Sequence, residues 1–155
     1  MIKSISRQSV AGLGISAAVL IAVLMSEGYR DEAYIPVPGD VPTIGAGRTE
    51  GVKLGDTTEP VREMVFLLNN LENKYAAGIR KCIKVSLHQH EFDAYLSLSY
   101  NIGISAFCNS TLTKKLNASD YAGACKQILV WNKFKGKPLR GLTIRRQQEY
   151  EKCLG

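Results

Sequence analysis

The chain has 155 residues, enough for one domain with a sizeable core and too few for two independent ones. A hydrophobic fraction of 45% against 22% charged excludes a largely disordered chain. Twenty Lys and Arg against 14 Asp and Glu leave a net charge of +6. That balance suits an anionic partner (nucleic acid, a membrane surface or a cell-wall polymer) without choosing among them.

From Ser9 to Ser26 no residue is charged. As a single helix this run would extend about 27 Å, close to the roughly 30 Å hydrocarbon core of a bilayer. Lys3 and Arg7 precede it, and Glu27, Arg30, Asp31 and Glu32 follow. The positive-inside rule then puts the N-terminus in the cytoplasm and everything after Ser26 across the membrane. The basic start and apolar middle also fit a signal peptide. Leu24, however, stands where cleavage after Ser26 would need a small residue, which favours an uncleaved anchor. Half of the run is Gly, Ala or Ser, residues that contribute little to membrane retention. A buried, Ala-rich core helix fits the same residues, and the two states are compatible at different times.

The remainder reads mainly as helices. Ile35 to Gly47 carries Pro36, Pro38 and Pro42 with Gly39, Gly45 and Gly47, which excludes a helix and fits a small irregular hairpin. Thr58 and Pro60 mark a helix start. Val61, Val65, Leu68, Leu71 and Tyr75 then recur at helical steps and predict its inward face. Phe92, Tyr95, Leu96, Ser99 and Tyr100 form a second helical run that Gly103 can end. Asn109 or Ser110 can cap a short helix through Leu116, and Asp120 the next, with Ala124, Ile128 and Trp131 inward. Lys135 to Pro138 form a basic loop, and a last helix runs from about Leu142 to Cys153. No repeat, low-complexity tract or linker interrupts this order.

All four cysteines, Cys82, Cys108, Cys125 and Cys153, follow the apolar run, and an even count on the exported side predicts two disulfides. Cys108–Cys125 and Cys82–Cys153 are the favoured pairs, the first joining neighbouring helices and the second tying a long helix to the last one. No CxxC pair exists, and His88 and His90 stand apart near a helix start, so no metal site is expected.

The chemically informative stretch is Glu27-Gly-Tyr-Arg-Asp-Glu-Ala-Tyr34, then Pro/Gly turns, then Thr43-Ile-Gly-Ala-Gly47. A carboxylate ending an apolar helix faces partial desolvation, a setting that favours a proton donor. A hairpin following at once can present Asp40 and Thr43 near it. One acid and one water-holding pair is the minimum for inverting glycoside hydrolysis. The same residues also fit a helix end and a turn with no chemistry.

Glu27-Gly28, Tyr34 and Thr43-Ile44-Gly45-Ala46-Gly47 resemble the active-site hairpin of the phage T4-type lysozymes, glycoside hydrolases of the lysozyme-like fold. Tyr100-Asn101-Ile102-Gly103 is similar to that family's aromatic-Asn-x-Gly segment, and Ser110-Thr111-Leu112 to its Ser-Thr-Leu helix start. Trp131 and Gly141 to Glu149 resemble its closing Gly-Leu-x-x-Arg-Arg-x-x-Glu helix. The motifs run in order from Glu27 to the C-terminus. The apolar start and four exported cysteines resemble the signal-anchor-release subgroup, secreted endolysins of tailed phages and prophages.

The resemblance implies an α+β fold, mainly helical with a small β-hairpin. It implies a segment 1–26 that anchors and later releases, followed by a catalytic domain 27–155. It implies hydrolysis of the β-1,4 bond between N-acetylmuramic acid and N-acetylglucosamine by a monomer, with peptidoglycan as partner and no cofactor. Residues 9–26 would hold the chain in the host inner membrane before it is released into the periplasm. Nucleic acid is not expected as a partner, since the basic residues lack interleaved exposed aromatics. Glu27 would protonate the leaving oxygen. Arg145 or Arg146 would orient Glu27 or bind substrate, unless they are merely solvated. One departure stands out: the family's carboxylate position, nine residues after the Glu, holds Pro36, and Thr43 lies one residue further on than the family spacing. Asp40 is the only acid between Tyr34 and Thr43, and is either the replacement carboxylate or a turn residue. The competing function is a catalytically decayed, membrane-tethered protein that binds peptidoglycan or acts as an inhibitor.

Overall fold

The computed structural model describes residues 6–155, so Lys3, one of the two flanking cations, lies outside the described residues. The apolar run is not one helix. Val10–Gly12 form a 3₁₀ turn, and α1 spans only Ala17–Glu27. Ser16 divides the two: its backbone is extended, and its hydroxyl accepts the Val19 N–H and so caps α1. Among the described residues no helix is long and apolar enough to cross a membrane.

This segment completes the core. Val10, Leu13, Val19 and Val23 are buried in the same cluster as Phe92, Leu96 and Phe107, and Leu20 and Leu24 pack against it half-buried. Polar contacts fasten it as well. Gln8 and Leu87 exchange backbone hydrogen bonds of 2.8 Å. Arg7 donates to both carboxylate oxygens of Glu91 and lies 3.6 Å from the centre of the Tyr121 ring. Ser16 donates to Asp93 at 2.6 Å, Gln89 to the Gly14 carbonyl and Arg80 to the Leu13 carbonyl.

Gly28, at φ 72°, turns the chain out of α1 into β1 (Arg30–Tyr34), which pairs antiparallel with β2 (Thr43–Gly45). A hairpin is present as expected but begins earlier, at Arg30, and the proline-rich stretch 35–42 is the loop that joins its arms. Pro60 opens α2 (Pro60–Asn70), with Glu59 rather than Thr58 at the cap. A π-helical turn, Leu71–Ala76, leads into α3 (Ala77–Cys82). The inward face of α2 differs from the expected one: Val61, Val65 and Leu68 are 73%, 53% and 39% exposed and Glu63 and Leu67 point inward, whereas Leu71 and Tyr75 on the π turn are buried as expected. A charged residue takes a core-facing position because Arg48 and Thr58 satisfy it, which an apolar pattern cannot register.

The central helix is α4 (Gln89–Ile102), buried from Glu91 to Ser99 and closed by Gly103 at φ 90°. Around it lie α5 (Ile104–Cys108), α6 (Thr111–Asn117, capped by Ser110) and α7 (Tyr121–Gln127, capped by Asp120). A short hairpin follows, β3 (Lys133–Phe134) with β4 (Lys137–Pro138), whose turn holds the basic loop. Then α8 (Arg140–Leu154) packs along α4. The histidines are half-buried and stacked, and His90 bonds the Lys152 carbonyl.

Two disulfides form, but not with the favoured pairing: the bonds are Cys82–Cys108 and Cys125–Cys153, each with Cα atoms 5.7 Å apart. The physical reason is the path of the chain. Helix α5 packs back on α3, which brings Cys108 to Cys82, while α7 lies on α8 and brings Cys125 to Cys153.

Candidate active site

Glu27 is the last residue of α1, so docking of α1 decides where its carboxylate stands. Its side chain is 25% exposed. Arg145 of α8 donates from Nη1 to Glu27 Oε1 at 3.2 Å. Arg145 is in turn held through Nε by Glu149 Oε1 at 3.4 Å. Glu149 is buried and also receives Ser97 Oγ at 2.7 Å and Arg146 Nη2 at 2.9 Å. Arg146 is fully buried and reaches Asn101 Oδ1 at 2.8 Å. Burial lowers the pKa of its guanidinium from the ordinary value, and Glu149 partly offsets this. Glu27 is therefore held by a polar chain running from α8 into α4. The two arginines of one motif have different tasks: Arg145 meets the acid and Arg146 braces the core beneath it.

On its other side Glu27 faces the end of the first hairpin. Gly47, at φ 91°, comes so close that a Cβ there would lie 3.7 Å from Glu27 Oε2. Gly47 and Arg48 begin one wall of a cleft of about 580 Å³. Asn69, Asn70, Asn73 and Lys74 line another side, and Tyr75 and Tyr100 also contribute. The two tyrosine rings lie 5.0 Å apart. Burial, with the nearby Glu27 charge adding to it, pushes the Tyr100 phenol up to about 12.

Thr43 is buried at the start of β2 opposite Tyr34, and its hydroxyl donates to the Val41 carbonyl at 3.2 Å. Asp40 is exposed on the loop between the arms. Its backbone N–H closes a turn onto the Val37 carbonyl, and its Oδ1 accepts the Val41 N–H at 2.8 Å. Neither residue hydrogen-bonds to Glu27 among the described residues.

The wall of the cleft has a support that sequence reasoning missed. Glu63 is buried under β2, bonded by Arg48 Nη2 at 2.7 Å and by Thr58 Oγ1 at 2.6 Å. Gly45, at φ 63°, lies so tightly on the Glu63 side chain that no Cβ fits there without a shift. No sequence signal marks this trio, because its members lie 5 to 15 residues apart on different elements.

The family model described as "Phage lysozyme" matches residues 25–149. The chain belongs to the phage lysozyme family. It is 40% identical to an endolysin of Acyrthosiphon pisum secondary endosymbiont phage 1, over 87% of this chain and 94% of that protein. It is 34% identical to the SAR-endolysin of Enterobacteria phage P21, over 97% and 96% of the two chains. The solved endolysin from Escherichia coli O157:H7 phage FAHEc1 superposes with a TM-score of 0.81 at 35% identity, covering 96% of each chain.

Proposed function

We propose that this member of the family is an endolysin that hydrolyses the β-1,4 bond between N-acetylmuramic acid and N-acetylglucosamine, lysing the host at phage release. The observation that carries the reading is Glu27, an acid fixed by Arg145 and lying beside Gly47, which lines an open cleft of amides and aromatics. In this mechanism Glu27 donates its proton to the glycosidic oxygen as the C1–O bond breaks. A water attacks C1 from the opposite face and gives its proton to a base, so the configuration inverts. The water-side groups are the Thr43 hydroxyl and the Asp40 carboxylate. Asp40 is supported by its place in the chain: it is the one carboxylate on the loop between the arms, and Oδ2 is left for water while Oδ1 holds the Val41 N–H.

The protein starts in the inner membrane through residues 9–26, N-terminus in the cytoplasm, and is later released into the periplasm. Residues 1–26 act as the signal-anchor-release segment and 27–155 as the catalytic domain. Two things support this: relatives named SAR-endolysin align over nearly the whole chain, and the uncharged run is rich in small residues. The fold adds that a spanning α1 could not simultaneously place Glu27 against Arg145.

The test is digestion of purified peptidoglycan with chromatography and NMR of the products. New reducing ends at N-acetylmuramic acid, formed first as the α anomer, are the expected result. Binding without reducing ends identifies a decayed wall-binding protein instead, and a β product means retention. In the same assay Asp40→Asn is expected to lose 10²- to 10⁴-fold in kcat, on the order seen for general-base catalysis. Unchanged turnover makes Asp40 a turn residue.

A further inference from the structure

We propose that Lys74 is a substrate-selecting residue that takes a carboxylate of the glycan substrate in the cleft, making this enzyme prefer anionic strands to neutral ones. The inference rests on the muramidase reading and adds to it the part of the substrate that the far side of the cleft recognises.

Arg48 and Lys74 are the cations that line the cleft. Arg48 is already committed: its guanidinium pairs with Glu63 at 2.7 Å, donates to the Glu50 carbonyl and lies 4.4 Å from the Phe66 ring centre. Lys74 is exposed, and among the described residues it has no carboxylate within ion-pair distance. Its ammonium lies 5.3 Å from the Tyr75 ring centre. Glu50, the one carboxylate lining the cleft, does not reach it. Lys74 is thus the cleft cation with its charge still available.

Its placement is a second observation. Asn69, Asn70, Asn73 and Lys74 follow one another along one stripe of the helix, each able to donate hydrogen bonds. Asn73, Lys74 and Tyr75 sit on the π turn, a helical form that recurs at functional sites. There Tyr75 turns into the core against Tyr100 while Asn73 and Lys74 remain exposed in the cleft. The amides match the N-acetyl and hydroxyl groups of an amino-sugar chain, and the ammonium matches an anion carried on it. Peptidoglycan supplies carboxylates from two sources: the stem peptides, and the lactyl groups wherever the peptide has been removed.

The experiment measures KM and kcat of wild type, Lys74→Met and Lys74→Arg on three substrates. These are intact peptidoglycan, amidase-stripped glycan bearing only lactyl carboxylates, and peptidoglycan whose peptide carboxylates have been converted to amides. Lys74→Met is expected to raise KM on an anionic substrate on the order of tenfold, the effect of one hydrogen bond to a charged group, with Lys74→Arg restoring most of it. A rise on intact but not stripped material identifies the stem peptide, and the reverse identifies the lactyl group. The KM gap between anionic and amidated substrates should narrow in Lys74→Met. An unchanged KM on both anionic substrates, or an equal rise on the amidated one, overturns the proposal. If wild type itself releases no reducing ends, the muramidase reading falls and this one with it. If wild type turns over and Lys74→Met matches it, only the role of Lys74 falls.

Discussion

Glu63 shows how one buried side chain shapes the cleft. Burial alone would push its carboxyl up, but the hydrogen bonds from Arg48 and Thr58 outweigh this and hold it below the ordinary carboxylate value. A carboxyl lowered by folding contributes stability above its unfolded value and loses it as pH falls through the folded one. Glu63→Gln should therefore lower stability by about 2–3 kcal/mol near pH 7, the scale of charge-assisted hydrogen bonds. The gap to wild type should shrink as the pH falls below about 4, where the native carboxyl also protonates. Melting curves of both proteins from pH 7 to pH 3 check this, and a gap constant with pH contradicts it. Glu63 was not legible in the sequence, since nothing in the order of residues joins Arg48, Thr58 and Glu63. Glu27 was legible, because it both ends the apolar run and begins the hairpin motif. Arg145 was half legible: the motif marked two arginines, and only the packing of α8 on α4 separates their tasks.

At the scale of elements, caps and breakers were read well and partners less so. Ser110, Asp120, Gly103 and Pro60 act where expected, because each works through its own neighbouring backbone. The disulfide pairing and the inward residues of α2 itself differ from expectation, while Leu71 and Tyr75 on the following turn do not, because the first two depend on which elements lie side by side. The segment from Arg7 to Ser16 is the most consequential case. Residues 9–16 open the uncharged run, which fits either a membrane span or a buried core segment, and in the structure they form with Arg7 a clasp on α4. Its partners Glu91 and Asp93 are almost fully buried, so an undocked segment leaves two acids without these contacts. Arg7→Ala with Asp93→Asn should loosen the clasp by about 2–4 kcal/mol. Amides of residues 8–20 should then exchange at least tenfold faster than in wild type, with α6 and α7 little changed. Equal exchange in the two proteins means that the apolar contacts alone hold the segment.

On the scale of the whole molecule, the proposed release would make one stretch of chain serve two solvents. Ala17, Ala18, Gly12 and Gly14 are exposed in the docked form, and a Cβ at either glycine meets nothing within 4 Å. Leu at all four positions therefore fits the folded domain, while it raises the apolarity of the segment in a bilayer by a few kcal/mol on insertion scales. The quadruple variant is expected to stay in the membrane fraction and delay lysis, yet to be as active as wild type once extracted. Lysis on the normal schedule by protein that remains in the membrane fraction means that release does not control activity. If the segment starts in the membrane as proposed, Arg7 begins on the cytoplasmic side, and its pairing with Glu91 would form only after the segment crosses. On that proposal the clasp would couple the location of the chain to the position of Glu27.

The central claim is that Glu27, carried by the docked α1 and held by Arg145, is the acid of a glycoside hydrolase. Glu27→Gln keeps the size of the side chain and a hydrogen-bonding partner for Arg145 but removes the proton that catalysis needs. The decisive measurement is the rate of reducing-end release from purified peptidoglycan by Glu27→Gln and wild type, each matched for circular dichroism and melting temperature. The expected result is a loss of several orders of magnitude with the fold intact, as befits removal of the general acid. Hydrolysis by Glu27→Gln within about tenfold of wild type contradicts the account.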